Sequence, residues 1–160
     1  MAHRIRKITP EDNPTVAHFI RSVFDEMGIA KVGTAYEDVT LDRMFETYQA
    51  ANTTYFVVEE EGELIGGAGI APLSGAEAHV CELQKMYFSP KARGRGIGSE
   101  MITYCMDFAR EAGYTLAYLE TMPYMHAAKK LYAKTGFTPI NGPMGDTGHY
   151  SCNVWMTKAL

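Results

Sequence analysis

Along residues 16–27 the apolar positions fall at Val16, Phe19, Ile20, Val23, Phe24 and Met27, a three-and-four spacing that draws one stripe down a helix. Thr9-Pro10-Glu11-Asp12 just before it reads as a helix start: a Thr cap, Pro in the first turn, and an acid three residues after the cap. Gly28 stands where that helix would end. Leu41, Met44, Phe45 and Tyr48 draw a second, shorter stripe, and residues 29–39 between them read as a loop. Ahead of all this, Arg4 to Ile8 reads as a short strand.

The period then shortens. Thr53 to Glu60 is rich in aromatic and β-branched residues, Glu61-Gly62-Glu63 suits a hairpin turn, and Leu64 to Pro72 continues as a Gly-rich strand. His79 to Ser89 is a longer strand that runs into a loop punctuated by Pro and Gly. From Ile97 the helical stripe returns at Met101, Tyr104, Cys105, Phe108, Ala109 and Ala112, ended by Gly113. Thr115 to Thr121 is an apolar strand. Pro123 opens a further helix, with Met125, Ala128, Leu131 and Tyr132 inward and Gly136 as its stop. Phe137 to Ile140 and Cys152 to Thr157 complete the strands. The predicted order is β-α-α-β-β-β-α-β-α-β-β. Hairpins mixed with strand–helix–strand units argue for an α/β (α+β mixed sheet) domain of three layers.

Composition narrows the function. At 160 residues, with no linker or repeat to divide it, the chain reads as one domain over 1–160. A net charge of −4 lacks the basic excess of a nucleic-acid footprint. No run approaches the ~18 apolar residues of a membrane span, and the polar start is unlike a signal peptide. Cys81, Cys105 and Cys152 are scattered, which suggests reduced thiols in a cytoplasm, and the dispersed histidines suggest no metal site.

The stretch from Pro90 to Ser99 changes the picture. Gly94, Gly96 and Gly98 alternate between a strand and an amphipathic helix, so backbone N–H groups converge at a helix N-terminus with no side chains in the way. Lys91, Arg93 and Arg95 add positive charge to this phosphate cradle. A plainer reading has the glycines merely turning the chain and the arginines solvated. A P-loop string is missing, and a dinucleotide fingerprint would need glycine where Ser99 stands and an earlier βαβ unit.

Arg93-x-x-Gly96-x-Gly98 resembles the R/Q-x-x-G-x-G/A signature of the GCN5-related N-acetyltransferase (GNAT) superfamily. Leu131-Tyr132-Ala133-Lys134-Thr135-Gly136-Phe137 resembles a second motif of that family, about 40 residues further on. Together with the element order, the resemblance covers nearly the whole chain. It implies a splayed central sheet, acetyl-CoA as cosubstrate without a metal, and direct attack by an amine in a ternary complex. It also implies that Met86, Tyr87 and Phe88 offer backbone groups to pantetheine, and that Arg93, Gly94, Arg95, Gly96, Ile97, Gly98 and Ser99 hold the pyrophosphate. Many relatives carry an asparagine seven positions before the tyrosine, where this chain has Met125 beside His126.

An ammonium must lose a proton before it can attack a thioester. Glu82 lies 93 − 82 = 11 positions before Arg93, the spacing of the glutamate base in the family's histone acetyltransferases. The alternative is a strand carboxylate that is paired or solvated. Tyr132 matches the family's usual acid for the leaving thiolate, the alternative being a core tyrosine. A backbone N–H near Met86 or Tyr87 would meet the oxyanion. The resemblance puts the acceptor against the first two helices and the loop before the last strand, where Tyr36, Asp146 and His149 stand, with Asp25, Glu26, Glu37, Asp38 and Tyr150 nearby. These acids and tyrosines suit a small-molecule amine. A protein lysine or N-terminus as acceptor, and a non-catalytic acyl-CoA-binding domain, stay open, as does a homodimer.

Overall fold

The computed structural model describes residues 2–160. It contains β1 (His3–Lys7), α1 (Asn13–Met27), α2 (Met44–Thr47), β2 (Thr54–Glu60), β3 (Glu63–Pro72), β4 (Val80–Phe88), α3 (Ile97–Glu111), β5 (Leu116–Thr121), α4 (His126–Lys134), β6 (Thr138–Ile140) and β7 (Val154–Ala159). The sequence predicts this order element for element. Strand ends shift by one or two residues, the last strand running Val154–Ala159 rather than Cys152–Thr157, and two helices differ more. The second helical stripe is a 3-10 turn, Leu41–Arg43, followed by the single turn of α2. The last helix begins at His126 rather than Pro123, because Met125 at φ −83°, ψ 65° lies outside the helical basin.

The strands form one sheet in the order β1-β2-β3-β4-β5-β7-β6. Every neighbouring pair is antiparallel except β4 and β5, which run parallel and are joined through α3. Residues alternate across β2, so Tyr55 and Val57 pack with α1 while Phe56 and Val58 pack with α3. Both faces of β2 are therefore buried, as a central layer between two helical layers requires. Local chemistry fixes the helix ends. The Asp12 carboxylate accepts from Thr9 N at 2.8 Å and from the Arg6 guanidinium at 2.8 and 3.1 Å, tying the entry of α1 to β1. Gly28 closes that helix at φ 64°.

Two irregularities position the site. β4 and β5 pair only over Val80–Glu82 with Leu116–Tyr118, after which both strands continue without a ladder between them. The sheet thus forks beyond Glu82. Opposite this fork, Gly67 pairs with Tyr87 and Gly69 with Gln84, so β4 spends three steps where β3 spends two. This is a bulge, and Lys85 within it takes φ 47°, a left-handed conformation uncommon for a residue with a side chain.

Candidate active site

The fork opens onto a cavity of about 650 Å³ between β4, α3 and α4. Met86, Tyr87 and Phe88 line it on the strand side, and Arg93, Gly94, Gly96, Ile97, Gly98 and Ser99 at the start of α3. Gly94 and Gly96 sit at φ 71° and 77°, where L side chains are strained, and a Cβ on either would meet nothing within 4 Å. These two glycines therefore turn the chain and leave an open approach to backbone. Gly98 serves packing instead, since a Cβ there would lie 2.6 Å from Leu131. No side chain caps α3, so its first-turn N–H groups remain available to an anion. A pyrophosphate fits that chemistry, and the unladdered edge of β4 suits the amides of a pantetheine arm.

The cations of the cradle are already engaged. Arg93 Nη2 donates to the Phe88 carbonyl at 2.9 Å and to Glu26 Oε1 at 2.7 Å. Lys91 pairs with Glu63 at 2.6 Å. Arg95, expected among the pyrophosphate ligands, does not line the cavity. It pairs with the carboxylate of Glu60 on β2 and donates to the Lys91 carbonyl at 3.0 Å, holding the loop in place from behind. Met125 and His126 both line the cavity, so the position where relatives carry asparagine still faces it.

Tyr132 projects from α4 into the same cavity while its ring packs edge-on against Phe137, 6.1 Å between centroids. Among the described residues its hydroxyl has no hydrogen-bond partner. Burial pushes its pKa up to about 12, so the phenol stays protonated and available as a donor.

A second, smaller cavity of about 160 Å³ lies on the other side of the fork and shares Tyr87 with the first. Glu82, Gln84, Lys85, Asp38, Glu120, Thr147, His149 and Cys152 are among its walls. Glu82 is buried, its Oε1 accepting from Gln84 Nε2 at 2.7 Å. Burial pushes its pKa up to about 7; the hydrogen bond from Gln84 opposes this, and Glu120 adds a smaller upward push. A carboxylate poised there can accept a proton at neutral pH. Cys152, half-buried at the same cavity, has its thiol pushed up to about 12 by burial and neighbouring carboxylates, which leaves it no thiolate character.

The residues proposed for the acceptor separate. His149 lines the small cavity, but Asp146 is exposed outside it and Tyr36 packs against Phe24 and beneath Lys31. Asp25 is paired with Lys31 and Glu26 with Arg93. Asp38 does reach the cavity. Lys85 and Glu120 were not anticipated. Lys85 reaches the cavity because of the bulge, for which sequence carries no signal. Glu120 was visible as an acid in an apolar strand, and the register Glu82↔Tyr118 puts it two residues along the same face.

A parallel strand pair prised open beside a glycine-rich helix start, with a small polar cavity behind the fork, defines a coenzyme A-dependent acyltransferase frame. The chain matches the Acetyltransferase (GNAT) family over residues 18–137, and it belongs to that family. It is 43% identical over 157 residues to the uncharacterized N-acetyltransferase YjgM of Escherichia coli K12, covering 98% of this chain and 94% of that one. Among solved structures it resembles a GNAT-family acetyltransferase from Staphylococcus aureus Mu50, with a TM-score of 0.85, 18% identity and 99% of each chain covered. It also resembles PaiA N-acetyltransferase from Thermoplasma acidophilum, determined in complex with coenzyme A, with a TM-score of 0.76, 17% identity and all of both chains covered. No helix among the described residues is long and apolar enough to cross a membrane.

Proposed function

We propose that this chain transfers the acetyl group of acetyl-CoA to a primary amine of a small molecule, by direct attack in a ternary complex. The observation that carries this reading is the meeting of two cavities at Tyr87, one holding Tyr132 and the other Glu82. In this reading the thioester lies along β4 with its pyrophosphate on the start of α3, and the amine enters from the small cavity. Glu82 takes a proton from the ammonium, directly or through a water. The amine nitrogen then bonds to the acetyl carbon, and the charge on the carbonyl oxygen meets backbone N–H groups of β4 near Met86 and Tyr87. The carbon–sulfur bond breaks, the departing thiolate takes its proton from Tyr132, and the second proton leaving the nitrogen passes to water, from which the phenol is restored. Met86 to Phe88 and Arg93 to Ser99, apart from Arg95, are the cofactor contacts of this reading.

The size of the acceptor cavity supports a small acceptor. Pockets for drug-sized ligands run to roughly 300–1,000 Å³, whereas this one is about 160 Å³. The test is thiol release from acetyl-CoA across a panel of small amines and peptides. Turnover of small amines, lost in Glu82→Gln, is the expected result. Turnover confined to peptides would overturn the small-molecule choice, and no turnover with any amine would leave a binding domain.

A further inference from the structure

The small cavity has walls of opposite charge. On one wall Asp38 is shared by two cations, with Lys85 Nζ 2.8 Å from Oδ2 and His149 Nε2 2.9 Å from Oδ1. This triad joins three distant segments: the loop before α2, the bulge of β4 and the loop between β6 and β7. The Lys85 side chain is 8% exposed, and Asp38 is its ion-pair partner. An ammonium has three N–H donors, so two are left for a ligand. The Asp38 contact favours protonated His149 and pushes its pKa up despite burial. Asp38 thereby holds the Lys85 ammonium and the His149 imidazole together on one wall of the cavity.

The other wall is acidic. Glu120 accepts from Tyr118 Oη and Thr147 Oγ1, both at 2.6 Å, one hydrogen bond on each oxygen, which fixes that wall. Glu82 uses only Oε1, for Gln84, and its second oxygen is left to an incoming amine.

We propose that the acceptor is a small free amino acid, its amine facing Glu82 and its carboxylate docked on Lys85 and His149. This rests on the acetyl-transfer reading above and selects one acceptor chemistry within it. A polyamine long enough to cross the cavity would set a second cation against Lys85 and His149, which is repulsive. A peptide residue lacks the free carboxylate and needs more room than about 160 Å³. A buried cation left facing an uncharged amide loses a charge-assisted hydrogen bond, and that is where the discrimination arises.

The experiment measures kcat/KM by thiol release for amino acids and the carboxamides of the same amino acids, for aminoalkylphosphonates, and for putrescine and spermidine. The free acids should exceed their carboxamides by about 30-fold or more, the worth of one buried charge-assisted contact. In Lys85→Met and His149→Gln this ratio should fall towards one, while calorimetric acetyl-CoA affinity stays that of the wild type and shows the variants folded. Equal turnover of acid and carboxamide, a preference for a polyamine, or a phosphonate favoured over its carboxylate twin would each overturn the amino-acid assignment and leave acetyl transfer standing. If every amine is inert, the transfer reading fails, and this assignment with it.

Discussion

The Tyr55 hydroxyl on β2 donates to the carbonyl of Lys85 on β4 at 2.8 Å, reaching across the intervening strand β3. The reach exists because β3 has glycines beneath the ring. A Cβ at Gly67 would lie 2.7 Å from the Tyr55 hydroxyl and ring, and one at Gly69 2.8 Å from the ring. Tyr55 thus holds the left-handed Lys85 in the bulge from the side opposite the fork. The bulge in turn aims Lys85 into the small cavity and directs Met86 to Phe88 along the large one.

Tyr55→Phe should therefore act at a distance from the chemistry. It leaves a buried carbonyl without its donor, which costs about 1 kcal/mol or somewhat more of stability. Turnover should fall by roughly tenfold, since misplacing groups by a fraction of an ångström is expensive in rate. Acetyl-CoA affinity should change less than about threefold, because the anion contacts lie on α3. Chemical denaturation, calorimetry and steady-state rates on one variant separate these effects. A full loss of cofactor binding would show that the bulge supports more than the catalytic strand.

The ion pair Arg93–Glu26, 2.7 Å, holds a cradle cation to the end of α1 before any phosphate arrives. Arg93 holds the Glu26 carboxyl below its usual range, so the pair is intact at neutral pH. Glu26→Gln should free Arg93 for the pyrophosphate and tighten acetyl-CoA binding by up to about fivefold at low salt, an exposed pair being worth little more than that. The gain should shrink as salt is added. Calorimetry at two ionic strengths measures both. Weaker binding in Glu26→Gln would mean that Glu26 orients Arg93 rather than competing for it.

The stripes of α1 and α3 are legible from spacing alone because each buries one continuous face, and Gly28 and Gly113 mark their ends by adopting positive φ. The glycine cradle is legible for the same reason: Gly94 and Gly96 need conformations that only glycine takes freely. The small cavity is another matter. Lys85 enters it through one extra residue in β4, and a bulge has no composition of its own. Asp38 and His149 are 111 positions apart and meet only because two loops converge. Arg95 reads like Arg93 in the sequence, yet it turns away because Glu60 is placed by the β2 register, which a local motif does not contain.

Tyr132 should behave as a donor that binding does not need. Tyr132→Phe keeps the ring against Phe137 and removes only the hydroxyl, which has no partner among the described residues. Acetyl-CoA affinity should stay within about twofold, and kcat should fall ~10²-fold if protonating the thiolate limits the rate. A better leaving thiol should restore much of the loss, because it needs no proton. Unchanged kcat would make Tyr132 a packing residue at the cavity wall.

The sharpest prediction concerns Glu82. Burial and Glu120 raise its carboxyl from 4.5 to about 7, so below neutral pH it is protonated and has no capacity to accept a proton. Wild-type kcat/KM should climb through pH about 7 and level off above it, before the substrate ammonium itself titrates. Glu82→Gln should lose that limb and run ~10²-fold slower on the plateau, recovering as free amine accumulates at high pH. Stability carries the same signature with a definite sign. The folded state holds this proton more tightly than the unfolded chain does, so the group's stabilising contribution is complete below its unfolded value. That contribution is lost as pH rises through about 7. Wild type should therefore lose thermal stability relative to Glu82→Gln between pH about 5 and about 8, in the window where its activity appears. The stability loss should then finish at the same pH, just above about 7, at which the rate limb levels off. A rate limb that persists in Glu82→Gln would assign it to another group lining the cavity.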